Sequence, residues 1–311
     1  MSRRARVLPG FSLSLGVAVL YLSLVVLLPL SALFLKTAEL GWERFYRIVT
    51  SSWVASAVRF TLGASLVAAL LNVVVGLLIA WVLGRYTFPF ARVLDAVIDL
   101  PFALPTAVAG IALSTLYADT GLLGGALASV GFRYPWPSWR GFEHGWSEWR
   151  EWREWPIEWT VYDRISLAPL GVVVAMAFVG LPFVVRTVQP VIEDLSRDVE
   201  EAAATLGASR LRIFRAVVLP ELAPALLTGF ALALARGLGE YGSVIFISGN
   251  RPDTEIASQV IIKMIEVNET GTYADATAVA VLLLGASFAL LLLINLLQRA
   301  AARARSDGAA G

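Results

Sequence analysis

An all-α membrane protein, a bundle of about six transmembrane helices with both termini in the cytoplasm, is the fold class this sequence predicts. Three observations point there. Hydrophobic residues make up 58% of the 311 positions and charged residues only 16%, with a mean hydropathy of +0.72. A soluble surface needs roughly a quarter of its residues charged. The apolar residues gather into runs of about 18 or more, the length that crosses a hydrocarbon core about 30 Å thick. Arginine, finally, is concentrated in alternate connections between those runs.

The same composition excludes several classes of function. A net charge of +1 offers no basic surface to nucleic acid. The absence of cysteine removes disulfides, thiolate metal sites and cysteine nucleophiles. One histidine, His144, builds neither a histidine metal site nor a triad with a membrane-embedded serine. No catalytic residue and no metal site is therefore expected.

The spans follow in order. The first covers 11–35, behind Arg3, Arg4 and Arg6. It is longer than the apolar region of a signal peptide, about 7–15 residues, and lacks a small-residue cleavage site, so it reads as a retained span. Residues 1–56 thus form this span and an external segment, and further spans fall at 57–84, 94–117, 166–189, 222–247 and 276–298. With the N-terminus inside, Arg85, Arg92, Arg197, Arg210, Arg212, Arg215, Arg299, Arg303 and Arg305 all lie in cytoplasmic pieces. The external loop 118–165 instead sets five arginines against seven carboxylates, as the positive-inside rule requires. The tail 299–311 is expected to be disordered.

Several spans are interrupted. Pro101 and Pro105 lie in the third and Pro182 in the fourth. A proline there either kinks a structural helix or breaks one that lines a pathway, where protein or water satisfies the freed carbonyls. Gly76, Gly110, Gly229, Gly237 and Gly239 let helices approach closely, and Asn72 reads as an interhelical hydrogen-bonding group. The external insert 118–165 holds seven of the ten tryptophans. Four of them, Trp146, Trp149, Trp152 and Trp155, would drift about 60° per step around a helix. An interfacial flap or a docking face for an external partner both fit this pattern.

The cytoplasmic loop 190–221 carries the most information. Ser196 is an expected N-cap, with Asp198, Glu200 and Glu201 at the positive end of a helix dipole. Gly207 ends that helix. Ser209 is placed to cap a second helix bearing Arg210, Arg212 and Arg215, which should stop at Pro220. The result is a rigid helix–turn–helix knob.

This segment resembles the E-A-A-x3-G-x9-I-x-L-P motif of binding-protein-dependent ABC importer permeases. Glu201, Ala202, Ala203, Gly207, Leu219 and Pro220 match, and Val217 stands where isoleucine is usual. The resemblance covers 57–298 as a permease core. It implies that the loop, Glu200 included, docks as a coupling helix on an ATPase subunit. The run Gly239-Glu240-Tyr241-Gly242-Ser243 to Asn250, with Leu100-Pro101 to Leu113 and Tyr273 to Ala278, is similar to the T-type subunit of sulfate/thiosulfate importers. Molybdate and tungstate permeases share a related Gly-Glu-aromatic-Gly pattern.

The resemblance further implies a second permease subunit, a paralogue in that T-type case, two ATPase subunits and a periplasmic or lipid-anchored anion-binding protein, in the inner membrane of a prokaryote. Lys36 follows leucine and Lys263 follows isoleucine, so no Gly-Lys phosphate loop exists. No cofactor is expected in this chain; ATP and magnesium belong to the partners. Arg236 and Glu240, four apart in the fifth span, either neutralise each other structurally or shape the translocation path. Tyr241, Ser243, Pro101 and Pro105 are the other candidates for that path or its gate. An ion-coupled secondary transporter would also use an intramembrane Arg236–Glu240 pair, but would not need the cytoplasmic knob.

Overall fold

The computed structural model describes residues 11–118, 120–132, 134–139, 157–162, 169–249, 254–266 and 272–309. Six helical stretches among them are long and apolar enough to cross a bilayer: Leu13–Ala38, Ser52–Arg85, Thr106–Ser129, Pro169–Asp194, Arg210–Leu238 and Tyr273–Leu296. The six-span helical bundle is as the sequence predicts.

Helices α1 (Phe11–Leu22) and α2 (Leu28–Ala38) form one rod through a π-helical turn, Ser23–Leu27, in which the Leu28 N–H reaches back to the Ser23 carbonyl. Pro29 follows at once. The wider turn makes room for a ring that would otherwise clash one turn back. A short helix α3 (Gly41–Val49) then lies across the start of the last span, where Arg44 donates to both carboxylate oxygens of Asp275 at 2.9 Å.

The core is three helices: α4 (Ser52–Arg85), α8 (Pro169–Asp194) and α11 (Leu219–Leu238). They approach closely because small residues meet bulky ones. A Cβ on Gly76 would stand 2.8 Å from Val184 Cγ1, and one on Gly229 would stand 2.9 Å from Val184 Cα. Lipid supplies no hydrophobic drive between helices, so such van der Waals fit is what holds them. Val184, Val185, Val188, Ile192, Leu222 and Leu234 fill the contact. Helix α8 carries Pro182 and Pro190 without a break; of the two roles open to Pro182, the continuous helix is the one observed. Asn72 departs from expectation. Its Nδ2 is buried with no hydrogen-bond partner among the described residues, because Gly180 packs flush against it.

Two expected spans are each split. The third becomes α5 (Ala91–Ala103) and α6 (Thr106–Tyr117), broken where Leu104 is extended ahead of Pro105, the conformation a residue before proline prefers. Helix α7 (Leu122–Ser129) prolongs its C-terminal end. The fifth ends at Leu238 and resumes as α12 (Gly242–Ser248). At the other end of α11 the second helix of the loop, α10 (Arg210–Ile213), does not stop at Pro220. A π-helical turn, Phe214–Val218, carries it straight into α11, with the Leu219 N–H on the Phe214 carbonyl. The device used before Pro29 is used again.

Helix α13 (Ala257–Glu266) precedes α14 (Tyr273–Ala309). The tail expected to be disordered is instead helical as far as Ala309, since alanine and arginine are strong helix formers and no proline interrupts them. Within the tryptophan-rich insert, β1 (Tyr134–Trp139) pairs antiparallel with β2 (Ile157–Tyr162), from Tyr134↔Tyr162 to Trp139↔Ile157. The sequence reading did not foresee this hairpin. Trp146, Trp149, Trp152 and Trp155 lie outside the described residues.

Candidate functional site

Two places concentrate the residues singled out above: the loop between α8 and α11, and the level at which both split spans break. The side of the bundle bearing that loop is called the loop side, and the opposite one the hairpin side.

Two residues separate helix α9 (Arg197–Thr205) from the end of α8, and the Ser196 hydroxyl accepts the Asp198 N–H at 3.2 Å. It ends as the sequence requires. Gly207 has φ 83°, its N–H bonds the Ala204 carbonyl at 2.9 Å, and the Ala208 N–H bonds the Ala203 carbonyl at 3.1 Å. That pair of bonds is a Schellman cap, which needs a left-handed residue at the glycine. Ser209 stands at the N-cap position of α10, but its hydroxyl makes no capping bond.

The two acidic residues of the motif differ in role. Glu200 turns inward to an ion pair with Arg85 at the end of α4. The Arg85 guanidinium also lies 5.4 Å from the Trp81 ring centroid, its carbonyl accepts from Arg197 Nη2 at 3.3 Å, and Trp81 meets Phe214 edge-on at 6.2 Å. The loop is thereby bolted to α4. Glu201 and Ala202 remain exposed, Ala203 and Leu219 are half-buried, and Pro220 is exposed. Leu206, at the tip, is 90% exposed. Arg85 was not among the expected site residues; its position as the last residue of α4 was the available signal.

The second place lies near mid-membrane. Gly237 packs on Ser65, about midway along α4. One turn of chain beyond, Glu240 is 1% exposed. Its Oε1 accepts the Ser243 N–H at 2.9 Å and the Ser243 hydroxyl at 2.8 Å, so it caps α12 from outside the helix. Its Oε2 forms an ion pair with Arg236 Nη1, whose side chain is 31% exposed. Expected four apart on one continuous helix, the pair instead bridges the helix break.

Tyr241 occupies the N-cap position of α12. A Cβ on Gly242 would stand 2.3 Å from Thr106 Oγ1, and one on Gly110 2.5 Å from the Ser243 carbonyl oxygen. The break at Pro105 and the break at Glu240 are therefore in contact. Pro105 is exposed beside that contact, whereas Pro101 is buried one turn back in α5 and does not join it. Gly239, expected to ease helix packing, has open space around it. A neutral pair whose arginine side chain is about a third exposed can meet a dianion without leaving a bare charge in the membrane.

Two further charged clusters escaped the sequence reading. Arg186 of α8 binds Asp95 and Asp99 of α5 at 2.7 and 2.6 Å. On the hairpin side, buried Glu255 accepts from Trp53 Nε1 at 2.6 Å and pairs with Lys263 at 2.6 Å, fixing the segment before α13 to the start of α4. Each joins groups far apart in sequence, which no local pattern reveals.

A family model described as a binding-protein-dependent transport system inner membrane component matches residues 72–306. The sulfate transport system permease protein CysT of Salmonella typhimurium is 46% identical over 296 residues, covering 94% of both chains. Its namesake in Escherichia coli is 45% identical over 296 residues, again covering 94% of both. That of Synechocystis is 40% identical over 291 residues, covering 94% of this chain and 90% of its own. Among solved structures, a chain of a bacterial alginate ABC transporter, crystallised with an alginate-bound periplasmic protein, superposes with a TM-score of 0.68. It covers 93% of both chains at 16% identity, a likeness of fold.

Proposed function

This chain belongs to the family of binding-protein-dependent transport system inner membrane components, and from that premise we propose that it is the membrane-spanning permease subunit of an ATP-driven sulfate importer. It is a transport subunit and not an enzyme. The observation that carries the reading is the α9 knob: a capped helix matching the family motif, bolted to α4 through Arg85–Glu200 and presenting Glu201, Ala202 and Leu206 outward. Sulfate as the cargo is supported by relatives that bear that name across 94% of both chains.

In this reading the loop side is cytoplasmic and the membrane is the inner membrane of a prokaryote. Two ATPase subunits hold ATP and magnesium, a second permease subunit closes the pathway, and an external binding protein delivers the anion. Nucleotide-driven closure of the ATPases moves the knobs, and the bundle shifts between inward-facing and outward-facing populations. Arg236, Glu240, Tyr241, Ser243 and Pro105, at the meeting of the two breaks, line or gate the path. Arg236, whose side chain is 31% exposed, offers its guanidinium to a passing dianion while Glu240 keeps the empty state neutral.

The test is uptake of labelled sulfate by vesicles containing the complete complex. Uptake should require ATP and survive an ionophore; uptake that persists without ATP and collapses with the ionophore would overturn the reading in favour of ion coupling. Replacing Gly207 by valine puts a β-branched residue at φ 83°. The left-handed conformation costs roughly 1–2 kcal/mol for an ordinary residue, so the Schellman turn should open and uptake should fall about tenfold in a normally inserted protein.

A further inference from the structure

We propose that Arg186 is a positioning residue that transmits movement of the loop to the mid-membrane break, with α5 as the lever. The inference rests on the reading of the chain as the driven subunit of an ATP-powered importer.

Helix α5 is a rod of 13 residues with a hinge at each end. Before it stands Phe90, a non-glycine residue at φ 71°, a conformation that persists only where the surroundings impose it. After it stand Leu104, extended, and Pro105, the start of the break. Between the hinges α5 is gripped by α8. Leu94 and Ile98 enter the shared core, Phe102 meets Phe183 edge-on at 5.0 Å, and Arg186 takes the polar side.

The Arg186 grip is complete. Nε and Nη2 bind the two oxygens of Asp99 at 2.9 and 2.6 Å, Nη1 binds Asp95 Oδ1 at 2.7 Å, Nη2 binds the Asp95 carbonyl at 3.1 Å, and Nη1 binds Gln189 Oε1 at 3.2 Å. A guanidinium has five N–H donors in a fixed fork, and all five are engaged. None is left for a passing anion, which separates Arg186 from Arg236. What a fully engaged fork does is fix two helices in register.

The chain of contacts then runs from end to end. Only Leu195 and Ser196 separate α8 from the α9 knob. At its other end α5 passes through Pro105 into α6, where Thr106 and Gly110 touch the start of α12 beside the Glu240 cap. A displacement of α9 is carried along α8, across Arg186 into α5, and to both breaks together. The three side chains are a third to nearly a half exposed, so the cluster contributes little to folding stability. Arg186 lies within the Pro169–Asp194 span, and a group this polar there faces the pathway or the partner subunit and not lipid.

The test uses the complete complex in vesicles and compares wild type with Arg186→Gln and with the exchange Arg186→Asp/Asp99→Arg. Arg186→Gln should keep ATP hydrolysis while sulfate taken up per ATP falls about tenfold, within the usual range of coupling between sites. The exchange should recover most of that loss, because it restores the link with its polarity reversed. Equal sulfate per ATP in wild type and Arg186→Gln, or no recovery in the exchange, would overturn the proposal.

A second readout is independent of cargo. Spin labels at Val97→Cys and Val199→Cys, both exposed positions in α5 and α9, should keep one narrow distance through vanadate trapping in wild type and lose it in Arg186→Gln. A distance that already changes in wild type sinks the lever. Failure of the wild-type complex to import sulfate would instead sink the functional reading and leave this distance to judge the lever by itself.

Discussion

Glu240 meets three demands with one residue. Its Oε1 caps α12 through Ser243, its Oε2 neutralises Arg236, and its carbonyl accepts from Ser258 Oγ at 2.6 Å. Removing one partner of a buried pair strands the other, whereas removing both does not. Because Arg236 is partly exposed, Glu240→Gln should destabilise the protein by about 1–3 kcal/mol, below the range for fully buried pairs. Arg236→Gln should do similar damage by stranding the carboxylate. The double variant should be nearer to wild type than the two losses added together, measured by thermal unfolding of the protein in nanodiscs. Strict additivity would mean that the pair is not coupled. The partnership was legible from the four-residue spacing. That Glu240 has left the helix was not, because a glycine before it allows a break without requiring one.

At the scale of elements, the breaks and caps with a local cause could be read in advance, and those with a distant cause could not. Gly207 announced the end of α9, and Pro105 marked the place where the third span splits while leaving kink and break both open. Pro220 misled, because a helix that widens into a π turn passes a proline that would stop a regular one. The Arg186 and Glu255 clusters stayed hidden, since their partners lie elsewhere in the chain. Contact between α4 and α8 has a purely steric cause that can be tested. A Cβ on Gly180 would lie 2.5 Å from Asn72 Nδ2, with Ala233 Cβ at 3.4 Å on its other side. Overpacking of this kind costs about 1–3 kcal/mol, so Gly180→Ala should lower the melting temperature. Asn72→Ala should restore it in the double variant, because it removes the clash and an unpartnered buried amide together. A silent Gly180→Ala would mean that the Asn72 amide swings clear of the added methyl and that no overpacking arises there.

For the molecule as a whole, the decisive property is which side faces the cytoplasm. Arg85, Arg92, Arg197, Arg210, Arg212 and Arg215 lie on the loop side, within or beside the ends of spans. On the hairpin side four cations among the described residues are offset: Arg44 by Asp275, Arg47 by Glu43, Lys36 by Glu39 and Lys263 by Glu255. Orientation follows the excess of arginine and lysine near span ends, so the loop side should be inside. The lack of cysteine makes this simple to test, because any introduced thiol is the only one in the chain. Leu206 at the tip of the knob is 90% exposed and Trp42 in α3 is 78% exposed, so a cysteine at either position should leave folding intact. A membrane-impermeant maleimide applied to intact spheroplasts should label Trp42→Cys and spare Leu206→Cys, and inverted vesicles should give the opposite pattern. The reverse result would put the knob outside, beyond the reach of any ATPase, and would remove the physical basis for ATP drive. Protection of Leu206→Cys in inverted vesicles by the ATPase subunits alone would go further and locate their docking surface at the knob.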